Sequence, residues 1–361
     1  MSGESPPGRV VRVRSPATSA NLGPGFDALG LALTLYDEVE ARVTGGQLAI
    51  EVSGEGADTA GAGEQHLVIE AMRAAFDAVG VPQPAGIALR CVNRIPHGRG
   101  LGSSAAAIVA GILAARALRD GGGESLPDDE VFSLAVALEG HPDNVAACLA
   151  GGLTIAWQAD GGPRMMRLDP LSCIAPVVCV PPVPVATAAA RRALPVAVPH
   201  ADAAANAGRS ALLIAALTRD PDVLLDATQD FLHQPYRAAV MPATADLVGR
   251  LRKAGIPAVV SGAGPAVLAF SASHGLDVLD SIAGETGNPW HVSPLDVDRQ
   301  GASLQSVTPG AHPRSAHPRG AHSRGGTRSG RGWNRALRAR SDHDGEPLHG
   351  RSSFPVTHGQ L

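Results

Sequence analysis

The sequence predicts an α+β fold in two lobes, and three observations lead to it. Strand-like and helix-like segments come in runs and do not alternate strictly, which disfavours a doubly wound parallel sheet. A glycine-rich turn near residue 100 joins a strand-like segment to a long alanine-rich helix. The pattern then changes near residues 155–165, where short strand candidates replace helices, so a lobe boundary falls there. A chain of 361 residues is long enough to give each lobe its own core.

In chain order, residues 1–8 read as a disordered leader. Val10 to Arg14 alternate apolar and basic residues, which suits an edge strand. Leu31 to Val43 and Gln47 to Val52 are further strands, and Thr59 to Glu64 is a Gly/Ala loop. Glu70 to Val79 has helical spacing with Gly80 as its stop, and Ile87 to Val92 is a strand. Ser103 to Leu118 is a helix rich in Ala. Asp128 to Leu138 follows with acidic residues at its start, then His141 to Leu149 with Pro142 at the first turn. This gives an N-terminal lobe over residues 9–160.

The C-terminal lobe covers residues 161–308. Strands are expected at Leu153 to Trp157, just before this boundary, and at Met165 to Leu168 and Ala175 to Val180. Helices are expected at Ala188 to Ala193, Ala203 to Ala216, Pro221 to Phe231 and Ala243 to Ala254. Ala258 to Val260 and Ala266 to Phe270 flank a glycine turn, and Val292 to Arg299 is the last segment with structured character. From residue 309 to 361 apolar spacing fails. The Arg/His/Pro/Gly-rich tail, with His312, His317 and His322 each two residues before an Arg, reads as disordered.

Composition excludes several classes. Hydrophobic residues make up 44% and aromatics 3%, so the core rests on Ala, Val, Leu and Ile. The net charge is −4, but the tail has nine Arg against Asp342, Asp344 and Glu346, so the body carries −10. An acidic body gives no reason to expect nucleic acid as a partner. No run of 18 apolar residues exists and no apolar segment follows the N-terminus, so neither a membrane span nor a signal peptide is expected, and a cytoplasmic protein is. Cys91, Cys148, Cys173 and Cys179 form no C-x-x-C pair and read as buried, reduced thiols.

The strongest chemical signal is Pro96-His97-Gly98-Arg99-Gly100-Leu101-Gly102-Ser103-Ser104-Ala105, continued by Ala106. Three glycines let backbone N–H groups crowd around an anion, and the helix that opens at Ser103 adds its positive end. The two hydroxyls suit phosphate or a hydrated cation. It is not a Walker A loop, because the G-K-[ST] ending is absent, and the glycine spacing does not fit a dinucleotide fingerprint. On this reading a β-branched residue at Gly100 blocks close approach of backbone to phosphate.

Two further motifs stand in order: Pro16-Ala17-Thr18-Ser19-Ala20-Asn21-Leu22-Gly23-Pro24-Gly25-Phe26-Asp27, and Ser261-Gly262-Ala263-Gly264-Pro265. Together with the glycine loop they resemble the small-molecule kinase superfamily of galactokinase, homoserine kinase, mevalonate kinase and phosphomevalonate kinase, over about Val10 to Gly301. The first motif is most similar to its homoserine kinase family. The resemblance implies a two-lobed fold, with an N-terminal ATP-binding lobe like a ribosomal-protein domain and a C-terminal ferredoxin-like α/β sandwich. It implies ATP and Mg²⁺ as cofactors, L-homoserine as substrate, O-phospho-L-homoserine as product, and a place in threonine biosynthesis from aspartate. A homodimer is left open.

Residue by residue, the resemblance assigns Pro96 to Ala106 to ATP, and Ser104 and Glu139 of Glu139-Gly140-His141-Pro142-Asp143-Asn144 to Mg²⁺. Asn21 and Asp27 offer an amide and a carboxylate to the substrate's polar groups. Asn144 is assigned to substrate, and Arg191 and Arg237, in T-x-x-x-R and P-Y-R stretches, to its carboxylate, where a guanidinium fork fits. Glu139, Ser104 and Asp27 form the catalytic set. His141 reads as structural and Asp143 as a helix-start residue. Asn206 and Arg209, on a helix-like segment, are candidates to support the site from behind. The one lysine, Lys253, lies far from every motif, which argues against a lysine-assisted base. Three other readings stay open: another kinase of the superfamily, an RNA-binding module, and an ATP-binding regulator without turnover.

Overall fold

The computed structural model describes residues 9–58, 63–120, 126–271 and 275–305; the leader, most of the Gly/Ala loop and the basic tail lie outside the described residues. The first half of the chain runs β1 (Val10–Ala20), β2 (Leu29–Thr44), β3 (Ala49–Gly54), α1 (Leu67–Ala78), β4 (Gly86–Asn93), α2 (Ser103–Asp120), α3 (Asp128–Glu139), α4 (Pro142–Ala150), β5 (Leu153–Ala159) and β6 (Gly162–Leu168). The second half runs β7 (Pro176–Val180), α5 (Thr187–Arg192), α6 (His200–Thr218), α7 (Leu224–Ala227), α8 (Gln234–Arg237), α9 (Pro242–Lys253), β8 (Ala258–Val260), β9 (Val267–Phe270), α10 (Leu276–Glu285), β10 (His291–Pro294) and β11 (Ser303–Gln305).

The first sheet has seven strands in the order β11-β1-β2-β4-β3, with β5 on β2 and β6 on β5. β2 is long enough to serve two partners, pairing β4 through Glu38–Thr44 and β5 through Leu29–Leu31. Along the first half of β1, Val11 and Val13 are buried while Arg12 and Arg14 point to the open face, where Arg12 pairs with Glu40 and Arg14 lies over Tyr36. That is the alternation of a sheet with one wet face. From Ser15 to Ala20 every residue is buried, because this half is covered on both sides. Helix α2 has little amphipathic character; Ile108, Ile112 and Leu118 are fully buried, as befits a central helix.

The second sheet has the order β10-β7-β9-β8, every pair antiparallel. With α9 and α10 as crossovers the order β7-α9-β8-β9-α10-β10 is a ferredoxin-like split βαβ arrangement. Leu247, Leu251 and Leu279 pack on Val177, Val267 and Ala269 to make its core. The fold is therefore α+β in two lobes.

Several expectations need correction. β1 is not an edge strand, because β11 pairs with it at Arg12–Arg14. The sequence after Gly301 therefore still contributes a strand. β6 belongs to the first sheet, so a boundary at residue 160 falls in the turn of the β5–β6 hairpin. The stretch Pro221 to Phe231 is not one helix: a 3₁₀ turn at Pro221–Val223 leads into the single turn α7. Its end is marked by Thr228, whose hydroxyl turns back to the Leu224 carbonyl at 2.9 Å. Helices α8 and α10 were not anticipated. Cys173 is exposed, unlike Cys91, Cys148 and Cys179.

Candidate active site

The loop between β4 and α2 is built from glycines in left-handed conformations: φ is +65° at Gly98, +77° at Gly100 and +71° at Gly102. The turn between β8 and β9 is clamped beneath it. Ser261 Oγ donates to Gly100 O at 2.6 Å and Ala266 N donates to Arg99 O at 3.1 Å. A Cβ on Gly100 would stand 2.2 Å from Ser261 O, so the glycine is demanded by this protein contact before any ligand is considered. Helix α2 opens on Ser103 with its N-terminal N–H groups toward the same space.

A cavity of about 480 Å³ lies over this loop, within the usual size of a small-molecule site. On one side Ser104 Oγ donates to Glu139 Oε1 at 2.7 Å. Burial raises the Glu139 carboxyl above its ordinary value, and the Ser104 hydrogen bond opposes this. Glu139 ends α3 and Gly140 follows in the left-handed region, which turns the chain into α4. Asp143, in the first turn of α4, is 2% exposed. Burial, with Asp27 nearby, pushes it up to about 7 against a hydrogen bond from Asn144 N.

On the other side is the loop from Asn21 to Ala28. Asn21, Leu22 and Asp27 all have positive φ, an uncommon strain for residues with side chains. The surrounding structure holds it. Asn21 Nδ2 donates to Gly262 O at 2.9 Å, and Asp27 N donates to Asn21 Oδ1 at 2.9 Å. His233 Nε2 lies 2.9 Å from Gly23 O, and Asn206 Nδ2 donates to Pro24 O at 2.8 Å. The result presents the Asp27 carboxylate to the cavity, where Arg191 Nη2 meets it at 3.0 Å. Arg237 is 1% exposed. It donates to Ala190 O and Gly262 O, reaches His233 Nδ1 at 3.1 Å and lies over the Phe26 ring. His233 gives its Nε2 proton to a carbonyl and accepts at Nδ1, so it is neutral, in line with the lowering of its pKa by burial.

Both halves of the glycine-loop kinase pattern match family models. Residues 66–152 match the GHMP kinases N terminal domain and residues 212–284 the GHMP kinases C terminal domain. The homoserine kinase of Streptomyces coelicolor is 55% identical over 304 residues, 84% of this chain and 97% of that protein. The chain belongs to the homoserine kinase family. The homoserine kinase of Clavibacter michiganensis is 50% identical over 309 residues, covering 85% of this chain and 97% of that one. The crystal structure of homoserine kinase from Cytophaga hutchinsonii superposes with a TM-score of 0.73 at 26% identity, over 84% of this chain and 99% of that one.

Within this homoserine kinase framework the cavity gathers most of the residues singled out in the sequence: Asn21 and Asp27, Pro96 through Ser104, Glu139, Asn144, Arg191 and Arg237. Ala105 and Ala106 do not reach it; both lie in α2 and are fully buried. Two side chains reach it but are engaged with the protein. Arg99 donates to the carbonyls of His97, Pro181 and Pro182, so it braces the loop instead of pointing at a phosphate. Asn21 uses both ends of its amide on the main chain. His141 and Asp143, read as structural from sequence, line the cavity. Asp37, Gln65, His66 and Asn93 also line it and carried no signal, since they come from three segments of the chain without a shared motif. Asn206 holds the Asn21–Ala28 loop through Pro24 and does not line the cavity; neither does Arg209.

Proposed function

We propose that the chain transfers the γ-phosphoryl group of ATP to the side-chain hydroxyl of L-homoserine, giving ADP and O-phospho-L-homoserine for threonine biosynthesis. The observation that carries this is the placement, in one cavity, of the Ser104–Glu139 pair beside the glycine loop and of Asp27, Arg191 and Arg237 across from it. The first set suits a metal-bound polyphosphate. The second suits an amino-acid zwitterion: two guanidinium groups for the carboxylate, one carboxylate for the ammonium group. Bound substrate takes over the charges that Asp27 and Arg191 now satisfy in each other.

The backbone N–H groups of residues 98–104 and the start of α2 hold the phosphates. Ser104 and Glu139 fit Mg²⁺: two hard oxygen donors stand 2.7 Å apart at the loop, and no larger cluster of His, Cys, Asp and Glu exists among the described residues. That suits an ion held by one or two protein oxygens and by the substrate's own phosphates. When bound it neutralises charge on the β- and γ-phosphates. Asp27 and the arginines set the hydroxyl in line with the γ-phosphorus. The hydroxyl oxygen forms the new P–O bond, the bond to the ADP oxygen breaks, and the hydroxyl proton passes to a phosphoryl oxygen. Lys253 sits exposed at the end of α9 and takes no part.

No helix among the described residues is long and apolar enough to cross a membrane, and the need for ATP puts the reaction in the cytoplasm. An assay of ADP release with L-homoserine, L-threonine, mevalonate and galactose in parallel tests the reading. Turnover is expected with L-homoserine far above the others. Preference for mevalonate or galactose would overturn the substrate assignment.

A further inference from the structure

Thr18 lies against the glycine loop and α4 without lining the cavity. It sits in β1 and is fully buried. Its backbone N–H donates to Leu101 O at 3.0 Å, and its hydroxyl donates to Asn144 Oδ1 at 2.8 Å. A Cβ on Gly102 would come within 1.9 Å of that hydroxyl oxygen and 3.1 Å of Asn144 Oδ1. One residue thus joins the strand, through its backbone N–H, to the glycine loop and, through its hydroxyl, to α4, and Gly102 leaves the room the hydroxyl needs.

The consequence concerns Asn144. An asparagine amide has an accepting end and a donating end of nearly the same shape, and its neighbours decide which way it points. The Thr18 hydroxyl proton takes Oδ1. Nδ2, with two N–H donors and no partner among the described residues, is then left to the cavity that Asn144 lines. Glu139, with the Ser104 hydroxyl on it, lies on the helix before, and Arg191 and Asp27 lie across the cavity. We infer that Thr18 is a positioning residue: its hydroxyl holds Asn144 with the amide nitrogen toward the phosphoryl group in transfer. This rests on the reading of the cavity as the phosphoryl-transfer site. A fixed donor there stabilises negative charge on the equatorial oxygens as they spread in the transition state, at no cost of reorientation. With the amide turned over, Oδ1 would face those same oxygens and repel them. Ground-state binding is anchored elsewhere, by the loop and by Asp27, Arg191 and Arg237.

The test compares Thr18→Val and Thr18→Ala with Thr18→Ser, each in the parent and in an Asn144→Ala background. The measurements are kcat, both KM values, ADP affinity by calorimetry and Tm. In Val and Ala, kcat is expected to fall by about tenfold or more, while each KM and the ADP affinity stay within about threefold. Ser restores kcat. In the Asn144→Ala background the Thr18 changes have no further effect, because the amide they orient is gone. Val probes the loss of hydroxyl at constant shape and Ala does so without added bulk, so crowding against Gly102 cannot account for both. If Asn144→Ala lowers kcat but Val and Ala keep the parent value, Thr18 has no such role and the site reading stands. If the Thr18 effect persists in full without Asn144, or appears in ADP affinity and Tm instead of kcat, Thr18 only packs the loop and the inference is wrong. If Asn144→Ala leaves kcat unchanged, the reading of Asn144 in the site fails first.

Discussion

Arg191 and Arg237 bring the same charge to one cavity but are held very differently. Arg191 is about a third exposed in its side chain and has Asp27 as its ion-pair partner. Arg237 is buried, with Ala190 O, Gly262 O and His233 around it. Replacement by Gln therefore separates binding from folding. Arg191→Gln is expected to raise the KM for homoserine by about tenfold or more, the loss of a charge-assisted bond, with Tm near the parent and KM for ATP little changed. Arg237→Gln is expected to raise the same KM and also to lower stability, since each buried acceptor left unpaired costs about 1–3 kcal/mol. Equal changes in both KM values would assign these arginines to phosphate or to structure. At this scale the sequence was a good guide to identity and a poor one to direction. Contiguous motifs named Asn21, Arg99, Glu139 and Asn144. Nothing in them told that Asn21 and Arg99 bond to main chain, because their acceptors at Gly262, Pro181 and Pro182 lie far away in the chain. His141 and Asp143 stood inside a quoted motif yet read as structural, since a lone histidine or a helix-start aspartate has an ordinary explanation until its neighbours in space are known.

The elements that matter most for the site are the strand-to-helix loop and the β8–β9 turn under it. Ser261 is fully buried and its hydroxyl lies 2.6 Å from Gly100 O and 2.9 Å from Ser19 Oγ. Ser261→Ala removes both contacts and is expected to cost about 1–3 kcal/mol. It should also raise the KM for ATP more than the KM for homoserine, because the loop it supports is the proposed phosphate cradle. A larger effect on homoserine would place the turn's role at the Asn21 loop, which Gly262 also touches. The same geometry changes the meaning of Gly100: a β-branched residue there collides with Ser261 O, so its failure would report loop packing as much as phosphate approach. The long helices were legible because Ala-rich and periodic segments persist over many residues. β1 was misread as an edge because its partner β11 is a three-residue strand nearly 300 positions away, and so short a strand carries no periodicity of its own. α10 was missed in a segment with no cap signal, and its Leu279 and Ala283 make sense only against the second sheet.

For the whole molecule, the site is assembled from both sheets, and this has an electrostatic consequence. Asp37, Glu139 and Asp143 line the one cavity, and burial raises the pKa of each above its ordinary value. For an acid so raised, the folded state holds more protons than the unfolded chain between the ordinary value, near 4, and the folded value. Stability is then lost as pH rises through that window. For Asp143 the window runs from about 4 to about 7. Asp143→Asn keeps the acceptor for Asn144 N and removes the titration. Its Tm relative to the parent is expected to be higher at pH 8 than at pH 5, by a few degrees; a difference independent of pH would mean that Asp143 is ionised throughout. In the proposed reading the charged cavity receives a phosphate donor and an amino acid together, and the product itself is the most direct evidence of that. Proton-coupled phosphorus NMR of a reaction with ATP, Mg²⁺ and L-homoserine reads both products at once. The account predicts a phosphomonoester signal split by the adjacent methylene protons, growing in step with ADP. ADP accompanied by free inorganic phosphate, with no such ester, would contradict it.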